Sequence, residues 1–109
     1  MKRAKIYSKG RFAGMLTESD VRDYTFVYDA VYLADNNTDS ISLTLPKRSE
    51  PYKSSHLFPF FSNMLSEGDN RIVQCRLLHI DENDEFELLL ATASVDTIGA
   101  ITIERYERD

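Results

Sequence analysis

With 109 residues, 42% hydrophobic and 28% charged, the chain has the composition of one soluble globular domain, neither disordered nor fibrous. A chain of this length buries roughly 60–70% of its unfolded surface in a single core, so residues 1–109 are expected to form a single domain. Thirteen basic against eighteen acidic residues give a net charge of −5. That balance argues against direct nucleic-acid binding, which usually needs a concentrated basic face.

No apolar run approaches the ~20 residues a membrane helix needs. The basic start, Met1 to Ile6, is not followed by an apolar signal-peptide core. A cytoplasmic location and no membrane association are the expectation. Cys75 is the sole cysteine, which excludes an intramolecular disulfide and a cysteine zinc site. Inside a helical pattern it reads as a small core residue rather than a reactive thiol.

Lys5-Ile6-Tyr7 and residues 11–16 flank Ser8-Lys9-Gly10, where glycine permits a tight reversal, so the chain opens on a β-hairpin. Gly14 within the second strand predicts a bulge or a close backbone approach. The basic residues Lys2, Arg3, Lys5, Lys9 and Arg11 read as a solvated hairpin rim rather than a phosphate-contacting patch. After a polar connection at 17–23, Tyr24-Thr25-Phe26-Val27-Tyr28-Asp29 is a strand with Tyr24, Phe26 and Tyr28 on one face. A half-buried strand accounts for those aromatics better than a ligand platform.

Residues 30–34 are ambiguous between a helical turn and a short strand, and 35–39 form a loop by their Asp, Asn and Thr side chains. Residues 40–46 alternate cleanly: Ile41, Leu43 and Leu45 are expected inward, Ser40, Ser42 and Thr44 outward, with Pro46 ending the strand. Residues 47–55 carry Lys47, Arg48, Pro51 and Lys53 and read as an exposed loop, with Ser54 or Ser55 as candidate N-cap of the next helix.

Leu57, Phe60, Phe61, Met64 and Leu65 fall at i, i+3, i+4, i+7 and i+8, the apolar stripe of an amphipathic helix. Pro59 fits its first turn, and Gly68 is expected to stop it by taking the left-handed conformation. Asp69-Asn70-Arg71 then restarts a second helix, whose apolar side is expected on Ile72, Val73, Leu77 and Ile80, with His79 near its end. The acidic run 81–85 caps a third helix built on Phe86, Leu89, Leu90 and Ala93, and 96–103 turn back into a strand. The elements make an α+β domain: a small mixed or antiparallel sheet of about four or five strands with three helices.

The stretch Phe60-Phe61-Ser62-Asn63-Met64-Leu65-Ser66-Glu67-Gly68-Asp69-Asn70-Arg71 resembles the F-F-x-N-L-L-P-E-G-x-x-R segment of the HipA family of serine/threonine-kinase toxins, with Ser66 where that family usually has proline. Ile6, Tyr7, Gly10, Gly14 and Leu16 match a V-Y-x-x-G-x-x-V-G-x-L segment of the same family. Residues 41–46 are similar to its L-S-L-S-L-P, and Asp96, Gly99 and Ala100 match its D-x-x-G-A-x-x-V. The resemblance covers nearly the whole chain and lies in the family's small amino-terminal subdomain. No counterpart of the kinase domain is expected.

The residues alone assemble no active site. The four glycines never cluster into a phosphate-binding loop, and no base, phosphate-holding lysine and metal carboxylates stand in a phosphoryl-transfer spacing. His56 and His79 lack the partners of a metal site or a hydrolase triad. Catalytic, cofactor and metal residues are therefore expected to be absent. The resemblance implies a non-catalytic interaction module similar to the HipS proteins of three-component HipBST toxin–antitoxin systems. Such a module binds and neutralises a split HipA-like (HipT-type) kinase, and a HipB-like DNA-binding antitoxin is a further candidate for the complex. Two alternatives stay open: a structural subunit that completes a truncated kinase without inhibiting it, and a small-molecule-binding domain.

The apolar stripe of the central helix turns Phe58 and Ser62 toward its other side. An exposed Phe58 would suit an interface anchor, since buried aromatics often dominate interface energies. The predicted docking surface is Phe58 and Ser62, with Glu67, Asn70 and Arg71 from the elbow and Lys47 and Arg48 from the preceding loop. In the other reading, Phe58 packs under the loop 47–55.

Overall fold

The computed structural model describes residues 2–63, 65, 68–81, 83–92 and 101–106. The first two strands, β1 (Lys2–Ser8) and β2 (Arg11–Glu18), form the expected hairpin. Its two-residue turn has positive φ at both positions, Lys9 at 52° and Gly10 at 81°, which matches the right-handed twist of the flanking strands. The register shifts at Ile6/Tyr7. Gly14 lies opposite Ile6, where a Cβ would stand 2.3 Å from the Val27 carbonyl oxygen and 2.9 Å from Cζ of Phe26. The close approach read from the sequence is present.

β3 (Tyr24–Tyr28) pairs antiparallel with β2, and β4 (Tyr52–Ser54) pairs with β3. The last strand, β5 (Ile101–Tyr106), returns to the free edge of β1. The sheet order is β4-β3-β2-β1-β5, antiparallel throughout.

Alternation along the strands gives the sheet one covered face. Ala4 and Ile6, Leu16, Tyr24, Phe26 and Tyr28, and Ile101 and Ile103 are all buried. Among the described residues four helical segments accompany it: α1 (Ala30–Ala34), α2 (Pro59–Ser62), α3 (Gly68–Leu78) and α4 (Glu85–Thr92). α1 packs on β2, α4 on β5, and α2 on α4. The core joins Phe61 of α2 to Phe26 with ring centroids 6.0 Å apart, and Phe86 of α4 to Tyr24 at 6.4 Å. Leu88, Leu89 and Leu90 complete it.

Local chemistry sets the helix ends. Asp29 accepts from the Val31 and Tyr32 amides at 3.1 and 3.3 Å, which decides residues 30–34 in favour of a helix. Asp84 accepts from the Glu87 amide at 3.3 Å, the capping expected of the acidic turn. At the end of α3, His79 takes φ 56°, with Ile80 N–H donating to Cys75 O and His79 N–H to Arg76 O. This is a Schellman closure with histidine in the left-handed position that glycine usually fills.

Five expectations fail. Residues 40–46 are a tight turn, not a strand: Ile41 and Leu45 are buried, but Leu43 is 97% exposed at the tip. The Leu45 N–H donates to Ser42 O at 3.1 Å and the Thr44 N–H to Ser42 Oγ at 3.2 Å, and these bonds fold the segment back on itself. The loop 47–55 contains the edge strand β4. The central helix ends at Ser62 rather than at Gly68, and Gly68 is the first residue of α3. Its candidate caps do not serve either: Phe58 occupies the N-cap position without a side-chain bond, and Ser54 Oγ accepts instead from the His56 amide. Finally, α3 turns Ile72, Val73 and Leu77 outward and buries Cys75. Met64, Ser66, Glu67, Ala93, Asp96, Gly99 and Ala100 lie outside the described residues.

Candidate partner-binding surface

Most of the predicted docking residues that are described make local contacts of their own. Lys47 is a structural tie: its ammonium donates to the carbonyls of Asp35 and Thr38 at 2.9 and 3.0 Å and to Thr38 Oγ1 at 2.7 Å, over the Tyr32 ring. Those bonds close the loop after α1. The Arg48 guanidinium lies 3.7 Å from the Tyr52 ring centroid and donates to the Glu50 and Pro51 carbonyls. None of these partners belongs to α2 or α3: Lys47 ties the loop after α1, and Arg48 the loop in which it sits.

Phe58 is a correction. Only 7% of it is exposed, and its ring stands 6.4 Å from that of Phe61 in an edge-on contact. α2 is four residues long, too short to present a separate outer face, and Phe58 precedes its first turn rather than standing on its far side. The alternative reading also buried Phe58, under the loop 47–55; the ring contact observed is with Phe61 of α2. Ser62 is half-buried and donates to the Pro59 carbonyl at 3.3 Å. Asn70 is exposed on α3, whereas Arg71 is half-buried and reaches Glu85 of α4 at 3.7 Å. Glu67, the remaining elbow residue of the predicted surface, lies outside the described residues.

Sequence reasoning missed the outer side of α3. Val73 is 53% exposed and Leu77 75%, with Ile72 and Leu78 also exposed. Beside them, Ile72, Cys75, Arg76, His79 and Ile80 line a groove of about 620 Å³. Isolated apolar residues on a surface are ordinary, whereas large contiguous apolar patches mark contact surfaces. The hint was present in the helix's sequence, where Ile72-Val73 and Leu77-Leu78 are adjacent pairs that one narrow buried stripe cannot absorb.

The charged groups are organised for stability. Glu18, buried at the end of β2, accepts from the Tyr24 hydroxyl at 2.7 Å. Lys2 lies 3.2 Å from Asp84, 3.3 Å from Glu87 and 4.0 Å from Glu18. Burial lowers the Lys2 ammonium, but Asp84 and Glu87 outweigh it and raise the group above its ordinary value. Desolvation and the neighbouring Glu18 raise the Tyr24 phenol. Arg11 pairs with Asp35 at 2.5 Å and Lys5 stands over the Tyr106 ring, so these two basic residues of the hairpin serve separate contacts. Among the described residues no group of three or more His, Cys, Asp or Glu could hold a metal ion, and no helix is long and apolar enough to cross a membrane.

A family model for the HipA N-terminal domain matches residues 4–104. The chain is 34% identical over 98 residues to a Sinorhizobium fredii protein named "Putative kinase Y4mE", a match that takes in 90% of this chain and 23% of that protein. This chain therefore spans less than a quarter of Y4mE. It is also 32% identical over 100 residues to an uncharacterized protein of Haemophilus influenzae, covering 92% of this chain and 89% of that one. The fold matches the solved N-terminal domain of HipA toxin with a TM-score of 0.71 and 25% identity, over 100% of this chain and 96% of that one. By sequence and by fold, this chain belongs to the HipA N-terminal domain family.

Proposed function

We propose that this chain is a non-catalytic interaction module that binds a HipA-like kinase and neutralises it, as HipS-like components do. One observation carries this reading. The same domain makes up 23% of Y4mE but 89% of the H. influenzae relative, so it occurs both within a long chain and as almost all of a short one. A domain that is one part of a kinase chain in one protein and nearly a whole protein in another is suited to act on that kinase from outside. The HipA N-terminal domain is the non-catalytic part of the kinase, which fits a role without chemistry of its own. A HipB-like DNA-binding protein is a further proposed member of the complex.

The test is co-expression with the HipA-family kinase of the same genome, then a phosphorylation assay with and without this chain. Co-purification with suppressed phosphorylation is the expected result. Co-purification with phosphorylation that requires this chain would mean that it completes the kinase instead. No complex would refute the reading. Tight retention of a metabolite by the purified chain would favour a small-molecule role, for which the groove of about 600 Å³ lined by Thr17, Ser19, Asp23, Tyr24 and Lys53 is the candidate place.

A further inference from the structure

We propose that the loop between α1 and β4 is a preformed recognition loop whose tip, Leu43, inserts into an apolar pocket of the kinase, an inference that rests on the function proposed above. A single exposed leucine is ordinary on a protein surface. What sets this one apart is how its backbone is held. Hydroxyls from three elements converge on the loop: Tyr28 of β3 donates to the Leu45 carbonyl, Tyr32 of α1 to that of Asp39 at 2.5 Å, and Tyr52 of β4 to that of Pro46 at 2.5 Å. Tyr28 also accepts from the Ile41 N–H, and the Lys47 ammonium closes the base of the loop on the carbonyls of Asp35 and Thr38. Ile41 and Leu45 are buried on either side of the tip, while Leu43 between them is 97% exposed.

The tip itself is arranged to present that one side chain. The Ser42 and Thr44 hydroxyls lie 2.9 Å apart and bond to each other, so the flanking polar groups are turned inward on the turn. The middle of a tight turn usually holds Gly, Asn, Asp or Ser, whose chemistry suits it. Leucine brings none of that chemistry and, at this exposure, buries almost nothing within its own chain. An anchor already fixed in position also loses little conformational freedom when it binds, which is how preorganised loops gain affinity.

Shape and chemistry decide what receives it. A projecting tip cannot enclose a small molecule, which needs a concave site. A nucleic acid needs cations for its phosphates, and the Lys47 ammonium is spent on the loop's own carbonyls. One leucine transfers too little apolar surface to hold a protein on a lipid bilayer, where even a whole myristoyl chain binds only marginally. The complement that remains is an apolar pocket on a protein, the setting in which an aliphatic anchor contributes most to an interface.

The experiment measures binding of the full 109-residue chain to the co-expressed HipA-family kinase of the same genome, for wild type, Leu43→Ala, Leu43→Asp and Tyr32→Phe. Val21→Asp, which places the same charge on an exposed residue of the connection before β3, is the control. Thermal midpoints of the Leu43 variants should stay near the wild-type value, because this side chain is exposed. The expected result is a loss of affinity of about tenfold or more for Leu43→Ala and a larger one for Leu43→Asp, with the control unchanged. Tyr32→Phe leaves Leu43 in place but frees the Asp39 carbonyl, and should weaken binding about threefold or more as the loop is then ordered only on contact. If wild type binds and both Leu43 variants bind equally well, the tip is overturned while the function stands. Undiminished binding of Tyr32→Phe would overturn the preformed loop, and an equal loss in Val21→Asp would assign the effect to charge and overturn the anchor. If wild type does not bind, the function fails and the anchor with it. If sedimentation shows a dimer of this chain that Leu43→Asp dissociates while kinase binding persists, the tip joins two copies and the proposal is overturned.

Discussion

The Tyr28 hydroxyl accepts a hydrogen bond from the Ile41 backbone N–H at 3.0 Å and at the same time donates one to the Leu45 carbonyl. One side chain of β3 thus holds both ends of the turn that carries Leu43. Burial pushes its phenol up to about 12, so it stays protonated, and able to donate, throughout the physiological range. Tyr28→Phe keeps the ring but leaves a backbone N–H and a carbonyl without this partner, which costs about 1–3 kcal/mol for each buried group left unsatisfied. Urea denaturation should show a loss on that scale. A loss below about 0.5 kcal/mol would mean that water replaces the hydroxyl at both positions.

Phe61 is fully buried between Phe26, Phe58 and Phe60, with centroids 6.0, 6.4 and 5.1 Å away. Phe61→Ala should cost about 3–5 kcal/mol, the usual range for emptying a buried aromatic position. Phe58→Ala should also lower stability, because Phe58 belongs to the same cluster. An unchanged thermal midpoint in either variant would contradict the packing.

Gly14→Ala tests the approach of β2 to β3. Its Cβ would meet a backbone oxygen at 2.3 Å, and backbone cannot swing aside as a flexible side chain can. Overpacking of this kind costs about 1–3 kcal/mol or more. A stable Gly14→Ala protein would show that the β2–β3 pair can widen at little cost.

Acid sensitivity should centre on Glu87. The Arg105 guanidinium, aided by Lys2, holds this carboxyl below its ordinary value of 4.5. The unfolded chain therefore takes up the proton at a higher pH than the folded one does. The stabilisation is whole above about pH 4.5 and is lost as pH falls through the lower folded value. Glu87→Gln should be less stable than wild type at pH 7, with the gap narrowing toward pH 3. A gap that stays constant over that span would assign the loss to packing rather than charge.

Much of the fold was legible where local chemistry and tertiary packing agree. The Lys9-Gly10 reversal, the aromatic face of β3, the Asp84 cap and the apolar positions of α4 each follow from a few neighbouring residues. The turn at 40–46 was not legible, because alternating Ile41, Leu43 and Leu45 suits a strand as well as a turn with buried ends and a projecting tip. What separates the two is Tyr28, 13 residues before Ile41. β4 was hidden because a three-residue edge strand after Pro51 carries almost no pattern of its own. The burial of Phe58 and the exposure of Val73 and Leu77 were not legible for a related reason. The outward placement of Phe58 assumed a long helix, and the inward placement of Val73 and Leu77 assumed that each apolar helix residue has a core to face.

The pairing of β1 with β5 also has a consequence for how the chain matures on the ribosome. Ile6 lies beside Ile103, nearly a hundred residues away, while the β1–β2–β3 meander needs only local contacts. The meander can form early in synthesis, but one edge of β1 stays open until residues 101–106 have been made. Long-range strand pairing is slow to close, and an open edge during that interval invites pairing with other chains. A nascent domain of this kind is most vulnerable to misassociation just before its last strand emerges.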